Sequence, residues 1–140
     1  MGRLDIVTSG LLLLTNDGEL ANRLTHPSYE IPKTYIARVH GEVKPGVRRR
    51  LLEGVELEDG PIAVDSFRTM ETYGDITTVE IVVHEGRNRL VRRLTDEVGY
   101  PVRELVRTKF GPIRLEHLQP GTMRRVKGPQ LAALYDAVGL

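Results

Sequence analysis

Residues 1–27, MGRLDIVTSGLLLLTNDGELANRLTHP, contain the reading on which the fold turns. Gly2-Arg3-Leu4-Asp5 places a flexible residue, a cation and a carboxylate within four positions, as an active-site loop would, directly before an apolar run. Gly10–Thr15 is predicted to form a short buried strand, although so brief and Leu-rich a run has no periodicity to fix its type. Asn16-Asp17-Gly18-Glu19 then starts a helix. Asn16 or Asp17 caps free N–H groups, Leu20 and Leu24 fall on one face at i and i+4, and Pro27 stops it.

Outward from this stretch, Lys33–Val39 alternates as a half-buried strand does, and Gly41 ends it. Lys44-Pro45-Gly46 precedes a short helix with a basic face, Val47–Leu52, closed by Gly54. Strands are expected at Ile62–Thr69 and Thr77–Val83, antiparallel neighbours across the turn at Tyr73-Gly74-Asp75. Asn88–Val98 reads as a helix with Val91, Leu94 and Val98 inward, closed by Gly99 and Pro101. Short strands follow at Leu105–Lys109 and Ile113–Leu115, then a turn at Gln119-Pro120-Gly121 and a terminal amphipathic helix, Gln130–Val138. These elements describe one α+β domain over residues 1–140 with a largely antiparallel sheet. No repeat, low-complexity stretch or linker interrupts them.

The chain has 140 residues, enough to bury a real core. It has no Cys, which excludes disulfides and thiolate metal sites, and no leader resembling a secretory signal, so a cytoplasmic protein is the default expectation. The apolar run Leu11–Leu14 is far short of the roughly 20 residues that cross a bilayer. Net charge is +1, but it is unevenly spread. Residues 1–85 carry 9 Lys/Arg against 14 Asp/Glu, whereas residues 86–127 carry 11 against 4. Sixteen of the 20 cations are Arg, whose planar fork suits phosphates and stacks on bases. Charge alone leaves a polyanion such as RNA and a coding bias toward Arg as equal readings.

Three clusters have the residue types for chemistry. Asp5 is the only carboxylate of the opening motif, with Arg3 two residues away; a lone loop Asp is more often a turn or cap residue. Lys33-Thr34-Tyr35 puts a phenol on a strand, where an aromatic is more often core. In Glu85-Gly86-Arg87-Asn88-Arg89-Leu90-Val91-Arg92-Arg93, four Arg crowd a helix start. Arg89, Arg92 and Arg93, spaced i, i+3, i+4, are expected to share a face as a receptor for phosphate or carboxylate; the bland alternative is a solvated basic face. The four His residues, at 26, 40, 84 and 117, are too scattered for a metal site, and neither a Gly-x-Ser-x-Gly elbow nor a GxxxxGK[ST] loop is present. Serine hydrolase and nucleoside-triphosphate chemistry are thereby set aside.

Taken in order, GRLDxxTSGLLLLTNDGELANRLTHP, KTYxxxVxG, EGRNRxVRRL and a GxPVxxLxR pattern closely resemble the RsuA/RluB group of ribosomal RNA pseudouridine synthases, over nearly the whole chain. The resemblance implies that group's catalytic-domain fold, a central mixed, mainly antiparallel sheet with flanking helices. It implies isomerisation of a uridine within RNA to its carbon-linked isomer, with no cofactor and no metal. Asp5 matches the catalytic aspartate, which either attacks the sugar or takes a proton from it, and both routes require it ionised. Arg92 matches the cation that keeps Asp5 charged by opposing its desolvation, and Tyr35 the ring that stacks on the target uracil. The target base must leave its helix at a cost of about a few kcal/mol, with Arg3 filling the vacated space. RNA-binding residues are then Arg3, Lys33, Arg87, Arg89, Arg93 and Arg107, within a basic surface running from Arg87 to Lys127 that holds phosphates of a loop or bulge. The closeness of EGRNRxVRR to the RluB branch favours large-subunit ribosomal RNA, naked or in an assembly intermediate.

Two departures qualify the match. Leu90 stands where the group usually carries Gln or another polar residue, so reduced activity is expected. Ahead of the GRLD motif, the group's small RNA-binding domain and a further segment of catalytic-domain sheet are expected, so the chain reads as N-terminally truncated. An unpaired sheet edge there favours another chain, as a homodimer or strand swap. Three functional readings stand: a competent synthase, a non-catalytic RNA-binding module, and a fragment that binds a separately encoded N-terminal portion.

Overall fold

The computed structural model describes residues 4, 8–87 and 89–140. In chain order they form β1 (Ser9–Gly10), α1 (Gly18–Thr25), β2 (Lys33–His40), α2 (Val47–Glu53), β3 (Val55–Leu57), β4 (Gly60–Ile62), β5 (Ser66–Tyr73), β6 (Ile76–Val83), α3 (Leu90–Glu97), β7 (Val102–Phe110), β8 (Ile113–Arg114) and α4 (Pro129–Asp136). The main sheet runs β1-β7-β2-β6-β5, with β8 also on β7, and β3–β4 form a separate hairpin. β1 runs parallel to β7 and the other ladders are antiparallel, giving the expected mixed, mainly antiparallel α+β architecture.

Alternation along β2 and β6 builds one buried sheet face. Ala37 and Val39 on β2 and Thr77, Val79, Ile81 and Val83 on β6 are buried, while Arg38 and His40 face solvent. Against this face pack Leu51 of α2, Val55, Leu57 and Ile62 of the hairpin, and Leu90, Val91 and Leu94 of α3, forming the larger core. A second core gathers Leu11, Leu13, Leu20, Leu24, Ile31, Phe110, Ile113, Leu134 and Val138 around α1 and α4. Asp17 is the N-cap of α1, its Oδ1 accepting from Leu20 N at 3.1 Å. Its Oδ2 accepts from the Tyr135 hydroxyl at 2.7 Å, and Arg23 Nη1 donates to Val138 O at 2.9 Å. Polar bonds thus join α1 to the α4 region at both ends.

Several expected boundaries move. The strand read at Gly10–Thr15 is confined to Ser9–Gly10. Leu11 N still donates to Arg107 O, but Leu11 O accepts from the Arg107 side chain rather than from a ladder partner, so pairing stops there. Leu11 and Leu13 nevertheless point inward while Leu12 and Leu14 are exposed. The strand read at Ile62–Thr69 is two elements. Ile62 closes the hairpin, Val64 N bonds Leu51 O, and β5 starts at Ser66. The strand at Leu105–Lys109 extends to Val102–Phe110 because it is central and paired on both sides.

Candidate active site

Where the two cores meet lies a cavity of about 570 Å³. Val83, Leu90, Val91 and Leu105 come to it from the larger core, Leu24 and Phe110 from the smaller. Tyr35, Lys33, Glu85, Arg87, Arg89 and Arg107 supply its polar and aromatic lining, and Leu4 and Thr8 also line it. The lining therefore combines four cations and a phenol with apolar side chains, a form suited to a flat, uncharged ring attached to an anionic chain.

Tyr35 reaches the cavity because it shares the odd-numbered face of β2 with Ala37 and Val39, whereas Ile36 takes the other face. Opposite it the β2–β7 register slips between Thr34 and Tyr35, setting Arg107 directly beside Tyr35. Such irregularities re-aim side chains next to functional sites. Arg107 is only 2 % exposed. Its Nε and Nη2 both donate to Leu11 O, at 3.0 and 2.8 Å, and its guanidinium lies 5.0 Å from the Phe110 ring centre. This corrects its expected place on a basic surface: Arg107 is an interior residue that anchors the Leu11 backbone to β7. Lys33 Nζ lies 5.6 Å from the same ring, and burial, then the Arg107 charge, holds its ammonium below the ordinary lysine range.

The Arg cluster divides in three. Arg89 is exposed at the N-cap of α3 with φ +54°, outside the helix proper, so it does not share a helical face with Arg92 and Arg93. The helix begins at Leu90 rather than Asn88, and the i, i+3, i+4 spacing no longer applies. Arg87 and Arg93 converge on the hairpin. Arg93 forks onto Asp59 at 2.8 and 3.1 Å, while Arg87 bonds Asp59, Gly60 O, Pro61 O and Glu85. Arg92 is half-buried on α3 and is not among the described residues lining the cavity. Asp5 and Arg3 lie outside the described residues, and so does the expected pairing of Asp5 with Arg92. Leu90, 5 % exposed, substitutes an apolar wall for the polar residue expected there.

Phe110 and Asp59 escaped the sequence reading. Phe110 lies one residue beyond the strand expected at Leu105–Lys109 and ends β7. A signal for Asp59 was available: Glu58-Asp59-Gly60 between Val55/Leu57 and Ile62 is the turn chemistry of a two-residue hairpin.

Residues 1–97 match the family model described as RNA pseudouridylate synthase. The chain belongs to this family. An uncharacterised RNA pseudouridine synthase of Mycobacterium tuberculosis is 51% identical over 140 residues, covering 100% of this chain and 55% of the relative. Ribosomal large subunit pseudouridine synthase B of Pseudomonas aeruginosa is 47% identical over 142 residues, covering 100% of this chain and 37% of the relative. A crystal structure of a pseudouridylate synthase superposes with TM-score 0.84 at 30% identity, over 94% of this chain and 56% of that one. The chain thus spans about half the length, or less, of these curated relatives. The expected pseudouridine synthase fold holds across the sheet that carries Tyr35. Among the described residues, no helix is long and apolar enough to cross a membrane.

Proposed function

We propose that this chain converts a uridine of ribosomal RNA, in the large subunit by preference, into pseudouridine. The observation that carries the reading is the cavity itself, lined by cations and apolar side chains together, with Tyr35 in its wall and Leu4 and Thr8, which flank Asp5 along the chain, in its lining. A uridine flipped from its stack, at a cost of about a few kcal/mol, would set its uracil against Tyr35. Its phosphates would meet Arg89 and Lys33. Ionised Asp5, charge-supported by Arg92, acts on the sugar, as nucleophile or as base. The N1–C1′ bond breaks with its electron pair going to N1, the uracil turns, C5 joins C1′, C5 loses its proton to solvent and N1 takes one up. Arg3 occupies the space that the base vacates.

Burial of Arg107 and the Asp59 cluster narrow the proposed RNA contacts. Arg89 and Lys33 become the principal phosphate ligands, and Arg87, Arg93 and Arg107 shape the surface that presents them. Exposed Leu12 and Leu14 beside the short β1 edge favour association of that edge with a second chain.

The test is tritium release from large-subunit transcripts carrying uridine labelled at C5, with the chain compared to Asp5→Asn. Release by the first alone is expected, with RNA affinity of the variant within a factor of about 10, or ~1.4 kcal/mol. RNA binding without release by either would assign the chain to the RNA-binding reading.

A further inference from the structure

We infer that Asp59, at the tip of the β3–β4 hairpin, is a positioning residue that holds the 85–89 loop in its cavity-lining shape. The function assigned to that loop rests on the synthase reading above. Its described residues, 85–87 and 89, lie outside any helix or strand, yet Glu85, Gly86, Arg87 and Arg89 all line the cavity. Its described bonds run largely to the hairpin. Arg87 Nη1 donates to Gly60 O at 3.0 Å and to Asp59 Oδ1 at 3.3 Å, and Nη2 to Pro61 O at 2.8 Å. Arg87 Nε bonds Glu85 Oε1 at 2.7 Å, closing the loop on itself. From the far side, Arg93 forks onto both carboxylate oxygens of Asp59 and ties the first turn of α3 to the same point. One carboxylate therefore joins loop and helix across 28 and 34 residues of sequence.

The mount is rigid. Glu58 and Asp59 form a two-residue turn between paired Leu57 and Gly60, and Gly60 takes φ +119°, which a side chain rarely adopts. Val55, Leu57 and Ile62 fix the hairpin in the larger core. Charge agrees with the geometry: the Arg93 guanidinium foremost, aided by the Arg87 charge, holds the Asp59 carboxyl below the usual carboxylate range. A fork from Arg to carboxylate adds orientation as well as attraction. Arg89 is exposed with a left-handed backbone, and its guanidinium can present to phosphate only from a loop fixed in this way. Asp59 thus acts on catalysis through Arg87, and a misplacement of about 1 Å there is enough to cost about 100-fold in rate.

The experiment compares the chain with Asp59→Asn and Asp59→Glu by amide hydrogen exchange without RNA and by single-turnover tritium release with it. In Asp59→Asn, exchange in residues 85–91 should accelerate by about 10-fold or more while β2, β6 and β7 keep their protection. Release should slow by about 10-fold or more, RNA Kd should weaken by about three- to tenfold as Arg89 loses its support, and Asp59→Glu should recover part of both. Unchanged exchange in 85–91 overturns the proposal. So does tighter RNA binding with a steeper salt dependence and an unchanged rate, which would make Asp59 only a charge mask over Arg87 and Arg93. If the unmodified chain releases no tritium, the exchange result still decides the positioning role, and the failure belongs to the synthase reading alone.

Discussion

Arg107 and Lys33 show how two cations near one ring serve different ends. Arg107 is buried and donates from Nε and Nη2 to Leu11 O, so Arg107→Met should leave that carbonyl without these donors and destabilise the fold by about 1–3 kcal/mol in urea titration. Lys33 is half-buried with a lowered affinity for its proton. Because the unfolded chain then binds that proton more tightly than the folded one, stability should rise with pH between the folded and unfolded values. Lys33→Met should remove this rise while weakening RNA binding. A phosphate beside the ammonium would favour its charged form, so RNA affinity should fall with rising pH in the unmodified chain and not in Lys33→Met. The strand that carries Lys33 and Tyr35 was legible in the alternation of Lys33–Val39, but which of its faces lines the cavity was not. The interior placement of Arg107 was not, since no local pattern reveals the register slip that brings it beside Tyr35.

At the level of elements, β1 is two residues long yet seats the start of the second core. Gly10 holds φ +117°, and a Cβ there would overlap the Arg107 backbone. Gly10→Ala should therefore cost at least about 2 kcal/mol and separate β1 from β7. The α1 cap behaves differently. Hydrogen bonds from Tyr135, then from Leu20 N–H, hold the Asp17 carboxyl below its usual range. Its contribution is present above the unfolded value of about 3.9 and lost as pH falls through the folded one. Urea midpoints in Asp17→Asn should consequently drop less between pH 7 and pH 3 than those of the unmodified chain. This cap, with Leu20 and Leu24 behind it, could be read directly from Asn16-Asp17-Gly18-Glu19. The β3–β4 hairpin could not be separated from β5, because Ile62–Thr69 is a run rich in β-branched and apolar residues with no Gly or Pro to divide it. What divides them is Val64 N bonding Leu51 O on α2, a tertiary event.

Across the whole molecule, the excess of cations in residues 86–127 does not amount to an equal excess of phosphate ligands. Arg87 and Arg93 converge on Asp59, Arg107 is interior, and Arg89 is exposed and lines the cavity. Arg89→Ala should therefore reduce the slope of log affinity against log salt by about 0.7, the share of one phosphate on a single strand, while Arg93→Ala should leave it nearly unchanged. The central claim is that a uridine enters the cavity between the two cores. Its most direct test is photo-crosslinking of large-subunit transcripts carrying 4-thiouridine, with the linked peptides mapped by mass spectrometry. Crosslinks in the segments around Tyr35 and residues 85–91, lost on competition with unlabelled transcript, are the predicted result. Crosslinks confined to residues 118–126, which do not line the cavity, would contradict it.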